Sequence, residues 1–269
     1  MDKVLTISNL TGKRIKEYLA EGKRFDGRKP DEFREIIIET KISKNAEGSA
    51  KVKIGKTEVW VGVKMNVSEP YPDSPDKGNL MVTAELLPLS SPRFENGPPK
   101  FPSIELGRLT DRGIRESKFI DFGKLCIQEG KKVWTIFVDI YSINDDGNLL
   151  DAATIGAIAA LKNTKIPKYD KEEEKVLFGE LSNESLTLSK DIPISITAYK
   201  LGNNFIVDPT RDEEDLCETR VTIGSSNGVI SSMQKGEVQE ISVEEFKELL
   251  ELVNKVERKV SSVLEKQIK

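Results

Sequence analysis

The sequence predicts an α+β fold in which mixed β-sheets pack against helices. Several segments alternate apolar and polar residues, as strands with one buried face do, and 57–67 is the clearest of them. Other segments repeat apolar residues at helical spacing. The order of strands followed by a helix occurs twice, over about 33–120 and about 132–266. A chain of 269 residues is long enough to bury a large core around such an arrangement.

The N-terminal part predicts a short helix followed by a turn. Residues 9–21 carry apolar side chains at helical spacing, and Gly22 follows as a stop signal. The segment 24–30 reads as a turn because it contains an Asp-Gly pair and a proline. We interpret Arg24 and Arg28 as members of a salt-bridged loop, with direct contact to a ligand as the alternative.

The first half is predicted to contain strands and then a helix. The expected strands span residues 33–43, 49–54, 57–67 and 81–87. Segments rich in proline and small polar residues, 69–79 and 90–103, are expected to be loops. From 104 to about 120 the apolar residues recur at helical spacing, so a helix is expected there.

Three arginines lie on one side of that predicted helix. Arg108, Arg112 and Arg115 are separated by four and three residues. A guanidinium presents a rigid fork of donors that suits phosphodiester oxygens. The alternative is a solvated face with ion pairs to Asp111 and Glu116, and on the residues alone we favour that alternative.

The second half begins with the most strand-like run of the chain, residues 132–143. The segment 149–163 is rich in alanine and glycine and apolar nearly all round, as expected for a helix buried between layers. The charged run 168–175 is predicted to be a solvated loop. Ser242 and Glu245 fit a capping box that starts a helix running to about 266. Further strands are expected at 192–200, 203–207, 219–223 and 228–234.

The turn at residues 144–151 joins the buried-looking strand 132–143 to the apolar helix. Backbone N–H groups at a helix N-terminus attract anions, and a serine and an arginine there would complete a phosphate site. The residues after Gly147 are Asn148 and Leu149, and neither carries a charge. The strand, turn and helix are therefore expected to be intact while the side chains for anion binding are missing.

The composition excludes several kinds of catalytic site. The chain has no histidine, which removes histidine bases, histidine triads and histidine-ligated metals. Cys126 and Cys217 are isolated and are expected to be small core residues. The net charge of −4 argues against general adhesion to nucleic acid but permits a local basic patch. With no secretory signal and no apolar run near 18 residues, a cytoplasmic location without a membrane partner is expected.

Three groups of residues resemble the RNase PH family, which comprises phosphorolytic 3′-to-5′ exoribonucleases and their ring-forming relatives. The resemblance rests on 24–28, on the hairpin 48–59 and on 207–215, and it covers nearly the full chain in the expected order. It implies one RNase PH-like domain over 1–269, built from two β-α-β-α halves. The N-terminal extension and the segment 144–153 are most similar to the non-catalytic RNase PH-like subunit of the archaeal exosome.

The resemblance implies a subunit without its own catalytic site. Active relatives carry Ser-Arg after the glycine turn, where this chain has Asn148 and Leu149. They also carry an aspartate at the start of a later strand, at a position that falls on Arg220 or Val221 here. The nearest carboxylate is Glu218, which an odd offset would place on the opposite face of the strand.

The resemblance also implies partners. Relatives of this kind pair as heterodimers, and three pairs close into a hexameric ring in which single-stranded RNA is shortened from its 3′ end by phosphate. The expected partners are a catalytic RNase PH-like subunit, RNA-binding cap subunits and single-stranded RNA, and no cofactor is expected. In this context RNA-backbone contact becomes the favoured role for at least one of the three arginines, with Arg112 ahead of Arg108 and Arg115.

Three further interpretations remain open at this point. The acidic cluster of Asp208 and residues 212–215 is interpreted as a solvated turn with a local cap rather than a magnesium site. The chain could be an active exoribonuclease that uses Glu218 or Asp215 as the acid. It could also be a ring scaffold that never touches RNA.

Overall fold

The computed structural model describes residues 7–170 and 172–268. The helices in this part are α1 (Asn9–Ala20), α2 (Phe101–Glu116), α3 (Leu149–Lys162), α4 (Arg211–Asp215) and α5 (Val243–Gln267), with a 3-10 helix at Phe122–Leu125. The strands are β1 (Ile36–Thr40), β2 (Gly48–Ile54), β3 (Thr57–Ser68), β4 (Asn79–Leu86), β5 (Cys126–Gln128), β6 (Lys132–Asn144), β7 (Lys165–Asp170), β8 (Lys175–Ser185), β9 (Ile194–Leu201), β10 (Asn204–Val207), β11 (Thr219–Ser226) and β12 (Val229–Gly236).

One mixed and one antiparallel sheet carry the fold. The first has the order β1-β2-β3-β6-β4, with β5 pairing on β6, and the second has the order β10-β9-β11-β12. β4 runs parallel to β6, while the other pairs in these sheets are antiparallel. β7 and β8 form a separate hairpin. The predicted α+β class with sheets packed on helices is confirmed.

Helix α3 lies between the two sheets. It contacts β2 and β3 on one side and β9 on the other, and the Thr197 hydroxyl of β9 donates to Asp151 of α3. Side chains alternate along a strand, so Ile196 and Ala198 point to the opposite face of the second sheet. There α5 packs. The layers are therefore the first sheet, α2 with α3, the second sheet, and α5.

The apolar helix is buried as its sequence predicted. Every residue of α3 from Leu149 to Leu161 except Leu150 is buried. Gly156 permits this close packing, because a Cβ atom there would come within 2.7 Å of Val61 Cγ2 on β3. The predicted N-terminal helix is also present, capped by the Ser8 hydroxyl, which accepts a hydrogen bond from Thr11 N.

Helix α2 is fixed against the outer edge of β4. The Ser103 hydroxyl donates to Ala84 O, and Arg115 Nη2 donates to Leu80 O at 3.2 Å. Between them a Cβ atom on Gly107 would lie 3.1 Å from Val82 O, so the helix backbone runs close to the strand. These contacts occupy β4 carbonyl groups that would otherwise lie open at a sheet edge.

Several predicted boundaries are wrong. Helix α2 begins at Phe101 rather than 104, because Pro102 occupies the first helical turn, where proline is well tolerated. The same helix ends at Glu116 rather than at about 120. Strand β1 is shorter than 33–43, and β4 begins two residues before 81. The charged run 168–175 is not a loop throughout, since its ends lie in β7 and β8; Lys171 is outside the described residues.

No helix within residues 7–170 and 172–268 has the length and apolar character needed to cross a membrane.

Candidate functional site

The turn before α3 has a constrained backbone. Asn148 is the N-cap of α3 and lies in the left-handed region, with φ of 61°. Gly147 has φ of 87°, and a Cβ atom there would lie 2.5 Å from Pro209 O. A side chain at position 147 would therefore be excluded twice, by conformation and by space. The turn holds two backbone N–H groups at the N-terminus of the most buried helix.

Both N–H groups are occupied by carboxylates of the chain itself. Gly147 N donates to Asp145 Oδ1 at 3.2 Å, and Asn148 N donates to Glu214 Oε2 at 3.0 Å. Glu214 comes from α4, 66 residues further along the chain. A helix N-terminus favours negative charge, and here that charge is supplied internally.

Two arginines neutralise these carboxylates. Arg93 donates to Asp145 Oδ2 at 2.8 Å and to Asp215 Oδ1 at 3.1 Å. Arg211 donates to Glu214 Oε2 at 3.0 Å and to Asp215 Oδ1 at 2.7 Å. Burial would lower the pKa of Arg211, but Glu214, Asp145 and Asp215 raise it. The guanidinium groups nearest the turn are thus committed to carboxylates.

The side chain of Asn148 takes part in a second network. It is fully buried, and its Nδ2 donates to Asp208 Oδ1 at 3.0 Å. Asp208 also accepts from Arg28 Nη1 at 2.8 Å and from Arg34 Nη2 at 2.7 Å. Burial would raise the pKa of Asp208, but the hydrogen bonds and charge of Arg34, with the charge of Arg28, hold it below its ordinary value.

The acidic cluster is therefore not a solvated turn. Asp208, Glu213 and Asp215 are buried, and residues 211–215 form α4. The Arg24 guanidinium, itself buried, pairs with Glu213 through Nε at 2.9 Å. The prediction of a solvated turn is wrong because arginines distant in sequence supply the counter-charges. The prediction that Arg24 and Arg28 belong to a salt-bridged segment is confirmed.

The candidate acids are engaged elsewhere. Arg220, at the position where active relatives are expected to carry an aspartate, pairs with Glu105 at 2.6 Å and with Glu237 at 3.0 Å. Glu218 pairs with Lys16 of α1. Within the described ranges no cluster of three or more His, Cys, Asp or Glu side chains is arranged to hold a metal ion.

A groove of about 570 Å³ lies between α2 and β4. One wall is formed by Val82, Thr83 and Ala84 of β4, and the other by the exposed side of α2. Arg108 and Arg112 line it and are exposed. Neither guanidinium has a hydrogen bond or ion-pair partner among the described residues, so both charges are available to a ligand.

Arg115 differs from the other two arginines. It pairs with Asp111 through contacts of 2.9 and 3.2 Å, donates to Leu80 O and lies 5.5 Å from the centre of the Phe122 ring. The hydrogen bond that Arg115 donates to Asp111 raises the pKa of Arg115, although burial opposes the change. The structure thus brings Arg108 and Arg112 together in the groove and uses Arg115 to hold α2 on β4.

Sequence reasoning missed the residues that fill the turn. Arg93 lies in a segment expected to be a loop, and Glu214 was assigned to a solvated turn, so neither suggested a contact with Asn148. A weak signal existed, because Arg211 precedes Glu214 and Asp215 at spacings of three and four, which place them on one side of a helix. No local pattern in the sequence identifies Asp145, the third carboxylate that pairs with Arg211.

Comparisons with known proteins place this geometry in context. The model of the 3′ exoribonuclease family, domain 1, matches residues 32–167, and the model of domain 2 matches residues 191–253. The chain is 47% identical over 233 residues to the exosome complex component Rrp42 of Methanocella arvoryzae, and the alignment covers 86% of each protein. It is 47% identical over 243 residues to the exosome complex component Rrp42 of Archaeoglobus fulgidus, covering 90% of this chain and 91% of that relative.

The solved structure of the Archaeoglobus fulgidus exosome with RNA bound to the active site contains a similar chain. The two superpose with a TM-score of 0.84 at 44% sequence identity, and the match covers 94% of this chain and 97% of that one. The similarity therefore extends over sequence, fold and nearly the full length.

Proposed function

The chain belongs to the 3′ exoribonuclease family, and from that premise we propose that it is a non-catalytic subunit of an exosome ring that degrades RNA from the 3′ end. Its relatives of about 47% identity are exosome components. In this proposal it pairs with a catalytic RNase PH-like subunit, three pairs form the ring, and RNA-binding cap subunits join it. The chain shapes the partner's active site and helps to hold single-stranded RNA.

The observation that carries the proposal is the occupied turn before α3. Phosphorolysis requires a phosphate ion held by N–H groups and cations. Here Asn148 N donates to Glu214, and Arg211 pairs with the same carboxylate. A phosphate would have to displace a carboxylate held by a charge-assisted pair, and Leu149 offers no replacement donor.

The absence of a suitable acid supports the same proposal. Arg220 and Val221 stand where the aspartate is expected, and Arg220 is itself bound to two carboxylates. The alternative acids are tied up, since Asp215 pairs with Arg93 and Glu218 pairs with Lys16. No feature of the site favours the alternative of an independently active exoribonuclease.

RNA contact is proposed for Arg112 and Arg108, with Arg115 in a supporting position. Two guanidinium groups without a partner in the described part of the chain lie in one groove and suit a phosphodiester backbone. Backbone contacts would hold RNA without reading its sequence. Such contacts agree with a ring that shortens RNA of any sequence. The net charge of −4 is no obstacle, because the positive field needed is local.

The test is phosphate-dependent shortening of a single-stranded RNA. We expect no activity from this chain alone and full activity from its mixture with the catalytic partner. Arg112→Ala in the assembled ring is expected to weaken RNA binding and to lower the slope of log affinity against log salt by about 0.7, the value for one phosphate contact on a single strand. Arg258→Ala, an exposed arginine on α5, is the matched control and should change neither quantity.

Three results would count against the proposal. Release of nucleoside diphosphates by the isolated chain would show that it has a catalytic site of its own. Unchanged binding and salt dependence after Arg112→Ala and Arg108→Ala would favour a ring scaffold that never touches RNA. Failure of the chain to form a ring with the catalytic subunit would remove the assembly part of the proposal.

A further inference from the structure

One face of α2 combines an exposed aromatic ring with two available cations. Phe101, Arg108 and Arg112 are separated by seven and four residues, so they share one side of the helix. At 1.5 Å per residue they extend over about 16 Å. Phe101 is 70% exposed, and the two arginines are also exposed. The face is therefore aromatic at its N-terminal end and cationic towards its C-terminal end.

The exposure of Phe101 has no structural explanation within the described chain. It opens α2 between Lys100 and Pro102, neither of which needs an aromatic neighbour to start the helix. No aromatic or cation-π partner for its ring occurs in residues 7–170 and 172–268. Phe101 lies on the same side of α2 as Arg108, which lines the groove, and one turn of the helix separates it from Ile104, another lining residue.

We propose that Phe101 is a base-stacking platform for the single-stranded RNA whose phosphates Arg108 and Arg112 hold. This inference rests on the proposed function and adds to it a contact that recognises bases rather than the backbone. Single-stranded nucleic acids are commonly bound by a combination of cations that follow the phosphates and aromatic rings that stack on bases. A ring at the end of a cationic stripe provides both on one helix.

The charges on this face fit RNA better than a protein partner. Two carboxylates line the groove, and Asp111 forms an ion pair with Arg115. Glu116 is the lining carboxylate without an ion pair at contact distance among the described residues, although it interacts electrostatically with Arg115. The two positive charges of Arg108 and Arg112 exceed the single negative charge of Glu116 by one. Ile104, which is 46% exposed, adds apolar surface beside the ring. A polyanion with exposed flat bases is complementary to that combination.

The experiment measures binding of a labelled, unstructured single-stranded RNA to the assembled ring in phosphate-free buffer, where phosphorolysis does not proceed. We expect Phe101→Ala to weaken binding by roughly 5- to 140-fold, the usual effect of removing one stacked aromatic. Phe101→Tyr should retain binding, and Phe101→Leu should restore it only in part because it keeps apolar area without a π-face. Val238→Ala, which alters a side chain that is 95% exposed elsewhere, should have no effect.

The salt dependence separates stacking from phosphate contact. Phe101→Ala should leave the slope of log affinity against log salt unchanged, whereas Arg112→Ala should lower it. Unchanged affinity in Phe101→Ala, with weakened binding in Arg108→Ala and Arg112→Ala, would overturn the stacking inference and leave the proposed function intact. Loss of assembly of the subunit ring in Phe101→Ala, judged by size-exclusion chromatography, would also overturn the stacking inference. The Phe101 side chain would then be assigned to a contact between protein subunits.

Discussion

Asp151 is a fully buried carboxyl group in the first turn of α3. It accepts hydrogen bonds from Thr197 N at 3.0 Å and from the Thr197 hydroxyl at 2.8 Å, and it has no cationic partner among the described residues. Burial raises its pKa to about 7, although the hydrogen bonds from Thr197 oppose the change. The group joins α3 to the second sheet in a form that is neutral under mildly acidic conditions.

This pKa predicts a pH dependence of stability. The unfolded carboxyl releases its proton near 3.8, while the folded one keeps it until about 7. The folded state therefore binds more protons between these values, and the free energy of unfolding falls as pH rises through this window, by at most about 1.4 kcal/mol per pH unit. Asp151→Asn should remove this contribution, because an amide stays neutral at every pH.

The measurement is urea unfolding of the wild-type chain and of Asp151→Asn between pH 4 and pH 8, a range chosen to bracket the two pKa values. The variant should gain stability relative to the wild type as pH rises, because in the wild type the unfolded Asp151 carboxyl ionises while the folded one stays protonated up to about pH 7. Asp76→Asn, at an exposed carboxyl, is the control and should follow the wild type throughout. Parallel curves for the wild type and Asp151→Asn would mean that Asp151 is ionised in the folded chain over the whole range.

At the scale of single residues, the sequence indicated that anion-binding side chains are missing from the turn before α3. It did not indicate that carboxylates of the chain itself occupy the N–H groups of that turn. The absence of charge at Asn148 and Leu149 is visible in the sequence. The occupation of Asn148 N by Glu214 is not, because the two residues are 66 positions apart and their contact depends on the packing of α4. Local patterns carry no information on pairings of that kind.

At the scale of elements, α3 was predictable because its signal is its own composition. A segment that is apolar all round can only be stable when buried, and small residues allow close approach to a sheet. The boundaries of α2 and the presence of the hairpin β7–β8 were harder to predict from the sequence. The proline in the first turn of α2 resembled a loop signal. The charges of β7 and β8 hid an exposed hairpin in which Lys168 pairs with Glu180 across the strands.

The close contact of α3 with the first sheet predicts the effect of a single methyl group. Gly156→Ala should lower the free energy of unfolding by about 1 to 2 kcal/mol, because overpacking outweighs the helix propensity that alanine gains. The added Cβ would stand 2.7 Å from Val61 Cγ2 and 3.5 Å from Val59 Cγ2, and β-branched side chains in a core cannot rotate away freely.

Urea unfolding of the isolated chain measures this effect. Gly62→Ala is the matched control, since it adds the same methyl group on β3 where no atom lies within 4 Å, and it should change the free energy of unfolding by less than about 0.5 kcal/mol. An unchanged or increased stability of Gly156→Ala would show that the sheet yields to α3 and that the contact is looser than the distances indicate.

At the scale of the whole molecule, buried ion pairs connect distant parts of the chain. Arg34 lies just before β1 and donates to Asp208, 174 residues away, through Nε at 2.9 Å and Nη2 at 2.7 Å. It also donates to Asp146 O at 2.8 Å and to Gly147 O at 3.1 Å, in the turn before α3. One guanidinium therefore fixes three segments that are remote in sequence. Because local sequence patterns carry no information on such contacts, the sequence analysis interpreted Asp208 as a local cap.

This arrangement predicts that Asp208 is more important for stability than its family motif suggests. Asp208→Asn keeps the shape of the side chain but removes the charge that faces both Arg28 and Arg34. Breaking a buried ion pair by removing one partner costs about 3 to 5 kcal/mol. Because Arg28 keeps Asp26 and Arg34 keeps Asp146, we expect the free energy of unfolding at neutral pH to fall by no more than about that amount. Because the pKa of Asp208 is lowered, this contribution is present above 3.8 and is lost as pH falls through the folded value.

The control for that change lies four residues further along the chain. The side chain of Asp212 is largely exposed, but partial desolvation and the nearby carboxylates Asp215 and Asp146 raise its pKa. Asp212→Asn should therefore be neutral or slightly stabilising. Urea unfolding of both variants at neutral pH separates the two roles. If Asp208→Asn unfolded at the same urea concentration as the wild type, the guanidinium groups of Arg28 and Arg34 would have to be satisfied by Asp26, by Asp146 and by their backbone carbonyl partners. Asp208 would then be dispensable for holding the first sheet, the turn before α3 and the second sheet together.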